Sequence, residues 1–192
     1  MKNVFRLLSF ILLIGISFNV KAADLAVKVK EKTILIELRN PVEGATLSLL
    51  DEQGKMLFRD GLIAKNAYTK ALDLSDAPQG TYYLQFENEY HIHTKVIKKD
   101  EAGIHVEDKS SAITFKPSFR INNKQVLLSL TNPTEGAAKV KVYNSLGELI
   151  ATAEGKGIVV TKTIDFKNVP VGEYTIEIST KENNFLKIIN LG

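Results

Sequence analysis

The chain has 192 residues, of which 44% are hydrophobic and 24% charged, and it contains no cysteine. The absence of cysteine excludes the disulfide framework of many small secreted domains, so stability must come from apolar burial. The formal net charge is +3, but residues 1–22 hold three basic residues and no acidic one, which leaves 22 basic against 22 acidic residues. This neutral remainder argues against a nucleic-acid partner.

The N-terminal segment reads MKNVFRLLSFILLIGISFNVKA over residues 1–22. Basic residues precede a short apolar run, and Val20 and Ala22 stand at the −3 and −1 positions of a cleavage site. This order predicts a secretory signal peptide, with an uncleaved signal anchor as the alternative. The apolar run is short for a membrane span, so we expect no transmembrane segment after cleavage. The mature protein is then exported, to the periplasm, the cell surface or the extracellular space.

The rest of the chain repeats itself. APQGTYYLQF at 77–86 lies over VPVGEYTIEI at 169–178 when the chain is shifted by 92 residues. The match covers nearly all of the chain after residue 25, with one residue inserted near Ala138. It predicts two copies of one domain, at 23–99 and 113–192, with a charged linker at 100–112. Within the linker, GIHVE is expected to contribute a first strand to the second domain.

Each copy has the pattern of a β-sandwich, because apolar and polar residues alternate over short segments separated by turn residues. The first copy's predicted strands are LAVKVK, TILIELR, ATLSLL, KMLFR, YTKALDL, TYYLQF and IHTKVIK. Those of the second are ITFKPSF, QVLLSL, AKVKVY, ELIATA, VVTKTIDF, EYTIEI and FLKIIN. We therefore expect an all-β protein, with two tandem immunoglobulin-like (fibronectin III-like) antiparallel β-sandwich domains after the signal peptide.

The repeated segment predicts a structural corner in each copy. In such sandwiches, a tyrosine near the start of the sixth strand turns its hydroxyl back to the upstream backbone. Tyr82 and Tyr174 occupy that position, and Gly80 and Gly172 precede them where the chain must bend. We interpret all four as structural residues and not as ligand contacts.

These residues also carry a resemblance. VKVYNSLGELI, followed by IDFKNVPVGEYTIEI, resembles the C-terminal β-sandwich modules of secreted Bacteroidota proteins, best known as the sorting domain of the type IX secretion system. The first copy, with LSLLDEQGKML and LDLSDAPQGTYYLQF, matches more loosely, so the resemblance is to two tandem copies. It implies a sandwich fold, export, and a sorting role for the C-terminal copy. The final strand, FLKIIN, departs from the strongly basic end of that family.

The sequence offers little chemistry. It has no cysteine nucleophile, no G-x-S-x-G elbow, no H-E-x-x-H pair and no phosphate-binding loop, so we expect neither an enzyme nor a cofactor. His91 and His93 are two residues apart on a predicted strand and share a face with Glu89, which makes them the only metal-ligand candidates. The alternative is a set of polar residues on an ordinary strand.

Two functional hypotheses remain. The first is a non-catalytic binding or structural module of the cell envelope that contacts a protein or glycan partner. The alternative is a type IX sorting or surface-anchoring module formed by the C-terminal copy. The two hypotheses differ in one expectation: only the second makes the location of the protein depend on the C-terminal copy.

Overall fold

A computed structural model describes residues 24–192. The predicted signal peptide and its cleavage site therefore lie outside the described residues. The described part consists of fifteen β-strands joined by turns, and it contains no helix that is long and apolar enough to cross a bilayer.

The first seven strands form one sandwich of two sheets. One sheet has the order β1-β2-β5, and the other contains β4-β3-β6-β7, with all neighbours antiparallel. The strands are β1 (Asp24–Lys30), β2 (Thr33–Arg39), β3 (Thr46–Asp51), β4 (Met56–Gly61), β5 (Ala67–Asp73), β6 (Gly80–Glu87) and β7 (His91–Asp100).

The last seven strands repeat this arrangement. The sheets have the orders β13-β10-β9 and β12-β11-β14-β15, so each strand has a counterpart in the first sandwich. The strands are β9 (Ser118–Asn122), β10 (Gln125–Thr131), β11 (Ala137–Asn144), β12 (Leu149–Lys156), β13 (Val159–Asp165), β14 (Gly172–Ser179) and β15 (Asn184–Leu191). The predicted fold class is confirmed: both units are antiparallel immunoglobulin-like sandwiches of the fibronectin III kind.

Strict alternation explains why these segments form half-buried strands. In β2, Ile34, Ile36 and Leu38 are almost completely buried while the residues between them are more exposed, because successive side chains point to opposite faces of a strand. Tyr174, Ile176 and Ile178 repeat this pattern in β14. The buried residues form two separate clusters, one in each sandwich.

Strand β8 (Gly103–Phe115) is the main departure from the sequence prediction. It pairs with β7 as a fifth strand of the first sandwich, so residues 100–112 form a tight turn and most of a strand where a linker was predicted. The expectation that GIHVE joins the second domain is wrong. Asp100 pairs with Gly103, and its Oδ1 accepts the backbone N–H of Ala102 at 2.9 Å, which folds the chain back onto β7.

The predicted strand ITFKPSF is likewise divided. Its first residues, Ile113–Phe115, end β8, and the first strand of the second sandwich begins at Ser118. Lys116 and Pro117 alone separate the two strands. Lys116 belongs with the first sandwich, since its backbone N–H donates to the Tyr90 carbonyl at 2.8 Å and its Nζ donates to the Asn88 carbonyl at 2.7 Å.

Candidate functional site

Both predicted corner tyrosines make a hydrogen bond to the backbone four residues upstream. The Tyr82 hydroxyl donates to the Pro78 carbonyl, and the Tyr174 hydroxyl donates to the Pro170 carbonyl at 2.7 Å. Both rings are buried in their cores. Gly80 and Gly172 have φ angles of 153° and 152°, a backbone conformation that side chains disfavour. These groups fix the chain where it enters β6 and β14.

The corner hydrogen bonds give a matched pair of stability predictions. We expect Tyr82→Phe and Tyr174→Phe each to lower the free energy of unfolding by about 0.5–1.5 kcal/mol, because each leaves a proline carbonyl without its donor. Chemical denaturation monitored by fluorescence measures this loss. Tyr83→Phe is the control, since Tyr83 is half-buried on the face of β6 opposite to Tyr82 and is not part of the first core. An equal loss in that control would contradict the role given to the corner.

The three metal-ligand candidates have separate surroundings. Glu89 lies in the turn before β7, and the His91 ring lies 6.2 Å from the Phe86 ring, centroid to centroid. Burial, and then the charge of Lys116, lowers the pKa of His91. His93 Nε2 lies 2.8 Å from Ser111 Oγ on β8. Within residues 24–192, no three histidine, aspartate or glutamate side chains form a group that could hold a metal ion.

The motif residues of the second sandwich build its turns. Asn144 Oδ1 accepts the backbone N–H groups of Leu146 and Glu148 at 3.0 and 2.9 Å, and Gly147 has a φ of 78° in the same turn. Asp51 Oδ1 makes the corresponding bonds in the first sandwich. Asn144 and Gly147, the most distinctive residues of the motif, therefore specify the conformation of a turn. Side chains that could contact a partner must lie elsewhere on the sandwich.

Strand β15 combines exposed apolar side chains with a strand edge that is unpaired among the described residues. Leu186 and Ile188 point outward and are 69% and 57% exposed, while Ile189 and Leu191 are buried in the core. Among the described residues, β15 pairs only with β14, so its other edge carries unpaired backbone groups. The segment therefore presents both an apolar face and an open strand edge.

The equivalent strand of the first sandwich has neither feature. Strand β7 is covered along its outer edge by β8, over pairs that run from His91 with Phe115 to Asp100 with Gly103. Its outward residues Thr94 and Val96 occupy the same register positions as Leu186 and Ile188, and both are half-buried. The two sandwiches share one topology and differ at this edge.

Sequence reasoning missed the β15 surface, although the segment contains a signal for it. In FLKIIN, apolar residues stand at both odd and even positions, whereas EYTIEI on β14 alternates regularly. Apolar residues on both faces of a strand at the end of a sheet indicate a second contact surface.

A cleft of about 750 Å³ lies between the two sandwiches. Tyr90 and Lys116 line it from the first sandwich, and Phe119, Asn183 and Leu186 line it from the second. No buried side-chain nitrogen or oxygen atom of the described residues lacks a hydrogen-bond partner. None of the described residues therefore offers the cleft a buried polar atom that lacks a hydrogen-bond partner.

Comparison with protein families separates the two halves of the chain. Residues 122–190 match the secretion system C-terminal sorting domain. Residues 15–97 match a different family, described as a domain of unknown function (DUF3244). The resemblance of the second copy to the sorting domain is confirmed, and the protein is secreted or at the cell surface. The extension of that resemblance to two tandem copies is not supported, because only the second region matches the sorting domain.

Comparison with curated proteins gives no match. Among solved structures, a segment of two fibronectin type III domains from chicken tenascin is 16% identical, with a TM-score of 0.34, and the match covers 87% of this chain and 97% of that one. The FN1–FN3 domains of chicken CNTN1 are 9% identical, with a TM-score of 0.32, over 84% of this chain and 61% of that one. The fold assignment rests on the strand order and not on these similarities.

Proposed function

We propose that this protein is an exported, non-catalytic protein whose second sandwich acts as a type IX secretion sorting domain. The match of residues 122–190 to the secretion system C-terminal sorting domain is the observation that carries the proposal. The matched residues span β10 to β15, six of the seven strands of a sandwich that has its own buried core. A unit that folds around its own core is suited to act as a transferable signal.

The non-catalytic part of the proposal is supported by what the polar residues do. Acid–base or nucleophilic catalysis requires side chains with tuned pKa values held close together. Here His91 packs near Phe86, His93 meets Ser111, and His105 Nε2 lies 3.4 Å from an Asp100 carboxylate oxygen in an exposed turn. These contacts support structural roles for the three histidines.

A second candidate function is binding of an envelope protein or glycan between the two sandwiches. The cleft favours it, because Tyr90 and Phe119 offer aromatic surface beside the amides of Asn183 and Asn184. This function and sorting are compatible, since the cleft and the sorting sandwich share only part of their residues.

A reporter fusion tests the sorting function. A soluble reporter carrying residues 1–23 at its N-terminus would be fused to residues 117–192, the second sandwich, and expressed in a host that has a type IX secretion system. We expect the reporter to appear at the cell surface or in the medium. In a matched strain without the system, it should stay in the periplasm.

The first sandwich provides the control for this experiment. The first sandwich, residues 24–115, has the same order in its first seven strands, but the family match there, over residues 15–97, is to another family. A reporter fused to it should therefore remain in the periplasm of both strains. Equal release of both fusions, or retention of both, would contradict the proposed sorting role.

A further inference from the structure

The two sandwiches provide an internal comparison of one strand edge, covered and uncovered. Strand β7 pairs with β6 on one side and β8 on the other, whereas its counterpart β15 pairs with β14 alone among the described residues. The register identifies the equivalent positions: Lys95 lies opposite Leu84, and Lys187 lies opposite Ile176. Strand β8 therefore shows what kind of segment this edge accepts.

Side-chain exposure measures the effect of the cover. Val96 of β7 lies opposite Glu107 of β8 and is half-buried, but Ile188 at the same position of β15 is 57% exposed. Thr94 is half-buried opposite Ala112, and its counterpart Leu186 is 69% exposed. The uncovered strand carries the larger apolar side chains, which gain most from being covered.

The segment that covers β7 carries carboxylates that meet the lysines of β7. Lys95 Nζ lies 3.2 Å from Asp108 Oδ1, and Lys98 Nζ lies 2.5 Å from Glu107 Oε1, so β8 meets the lysines of β7 with carboxylates. Lys187 stands where Lys95 stands, exposed at the edge, with its Nζ 6.0 Å from the Phe119 ring centroid. A covering segment with a carboxylate at the corresponding place would repeat the pairing seen on β7.

The shape of the edge favours regular pairing. All eight residues of β15 pair with β14 without a register shift, so the ladder is regular to the end of the strand. The register of β8 shifts instead between Thr94 and Val96 of β7, which leaves residues 108–111 of β8 out of the ladder. Irregularities of this kind blunt a sheet edge against further strands. The first sandwich thus ends in an irregular edge and the second in a regular one.

We propose that β15 binds an extended segment of another protein by strand addition, antiparallel to β15, with apolar side chains over Leu186 and Ile188 and a carboxylate facing Lys187. Backbone hydrogen bonds supply affinity in this mode, and alternate side chains supply specificity. A second copy of this chain fits less well, because the register that pairs Leu186 with Ile188 sets Lys187 opposite Lys187, and like charges opposite each other are destabilising. The inference rests on the proposed function only in taking the second sandwich as the part that meets a partner.

The probe is a peptide of the β8 sequence with Glu107→Val, because in the β8 register residue 107 lies over the position of Ile188 while Asp108 faces the position of Lys187. Hydrogen exchange of the full mature chain would be followed by mass spectrometry with and without the peptide. We expect slower exchange over residues 184–191 and saturable binding. A control peptide that also carries Asp108→Lys should bind roughly tenfold more weakly, as loss of about 1.4 kcal/mol implies. Protection that maps elsewhere, or none at millimolar peptide, would overturn the proposal.

Two exposed positions on edge strands give matched variants. Ile188→Lys should weaken peptide binding roughly tenfold or more, since it removes apolar contact area. Val159→Lys on β13 should leave binding unchanged, because Val159 is similarly exposed, at 59%, but lies on the other sheet. Unchanged unfolding midpoints would show that both variants fold. Equal effects of the two variants on peptide binding would overturn the proposal.

The occupant and the sorting role can be separated. If the mature chain forms a dimer that Ile188→Lys abolishes, then a second copy covers β15 and the proposed occupant is wrong. If the peptide protects β15 but the reporter fusion is not sorted, the strand-addition site stands and the proposed function fails. If the reporter is sorted and β15 stays unprotected, the proposed sorting function stands and the strand-addition site is wrong.

Discussion

A Phe166→Ala variant is expected to lower the free energy of unfolding of the second sandwich by about 3–5 kcal/mol, the usual cost of truncating a buried phenylalanine. Phe166 is 1% exposed, and its ring lies 5.2 Å from the Tyr174 ring, centroid to centroid. Its backbone N–H also donates to the Lys124 carbonyl at 2.7 Å, which keeps the cavity in place after truncation. Denaturant titration with a probe in each sandwich measures the loss.

The first sandwich supplies the control for this prediction. Leu74 occupies the equivalent position and is also buried, so Leu74→Ala should destabilise the first sandwich by about 2–5 kcal/mol. Because the two cores share no residue, each variant should shift the unfolding of its own sandwich. If Phe166→Ala lowered both transitions by the same amount, the sandwiches would unfold as one cooperative unit, contrary to this expectation.

Gly155→Ala is expected to destabilise the second sandwich by about 1–3 kcal/mol, because it overfills a packed site. A Cβ atom added at Gly155 would lie 2.4 Å from Val160 Cγ1 and 3.2 Å from Lys162 Cε. The first contact is with a short, stiff side chain that cannot move away without shifting its strand. Thermal unfolding of the variant, compared with the parent protein, measures the effect.

Gly61→Ala on β4 is the matched control, since a Cβ atom there would meet nothing within 4 Å. That substitution should leave stability unchanged or raise it slightly, because alanine restricts the unfolded chain more than glycine does. Adding Val160→Ala to Gly155→Ala should recover part of the loss, since the two sites are in contact. A double variant with the plain sum of both losses would contradict the steric explanation.

Most of the fold could be predicted because each strand buries one face. The alternation in TILIELR and EYTIEI fixes which residues enter the core, and the repeat doubles the evidence for each element. The corner positions could be located in the same way, since Tyr82 and Tyr174 lie in the most similar segments of the two copies.

Strand β8 was predicted only in two pieces, GIHVE and the start of ITFKPSF, and both were assigned to the second domain for a physical reason. Its sequence, GIHVEDKSSAITF, is charged and irregular, and only Ile104 among its residues is buried. Apolar alternation identifies a strand by its buried face, whereas β8 is held mainly by backbone pairing and by its ion pairs with β7. A short turn signal, Asp100 followed by Gly103, was the one local indication that the chain folds back.

The open edge of β15 could not be predicted from periodicity either. Alternation specifies which face of a strand is buried, but neighbours along a sheet are set by topology. Leu186 and Ile188 therefore appeared only as extra apolar residues in a final strand. The comparison with β7 shows their significance: β8 covers the equivalent positions of β7, whereas no described strand covers Leu186 and Ile188.

The attachment of Lys116 has a mechanical consequence. Glu87 holds the Lys116 ammonium group at 2.5 Å. One hydrogen bond from the Lys116 backbone and one from its Nζ tie the residue to the turn before β7, so only Pro117 lies between this anchor and β9. Tension applied to the second sandwich during transport would reach the first sandwich at Lys116 with almost no slack. The contacts of Lys116 and the β7–β8 ladder would then bear the load together, before any buried residue of the first core is pulled.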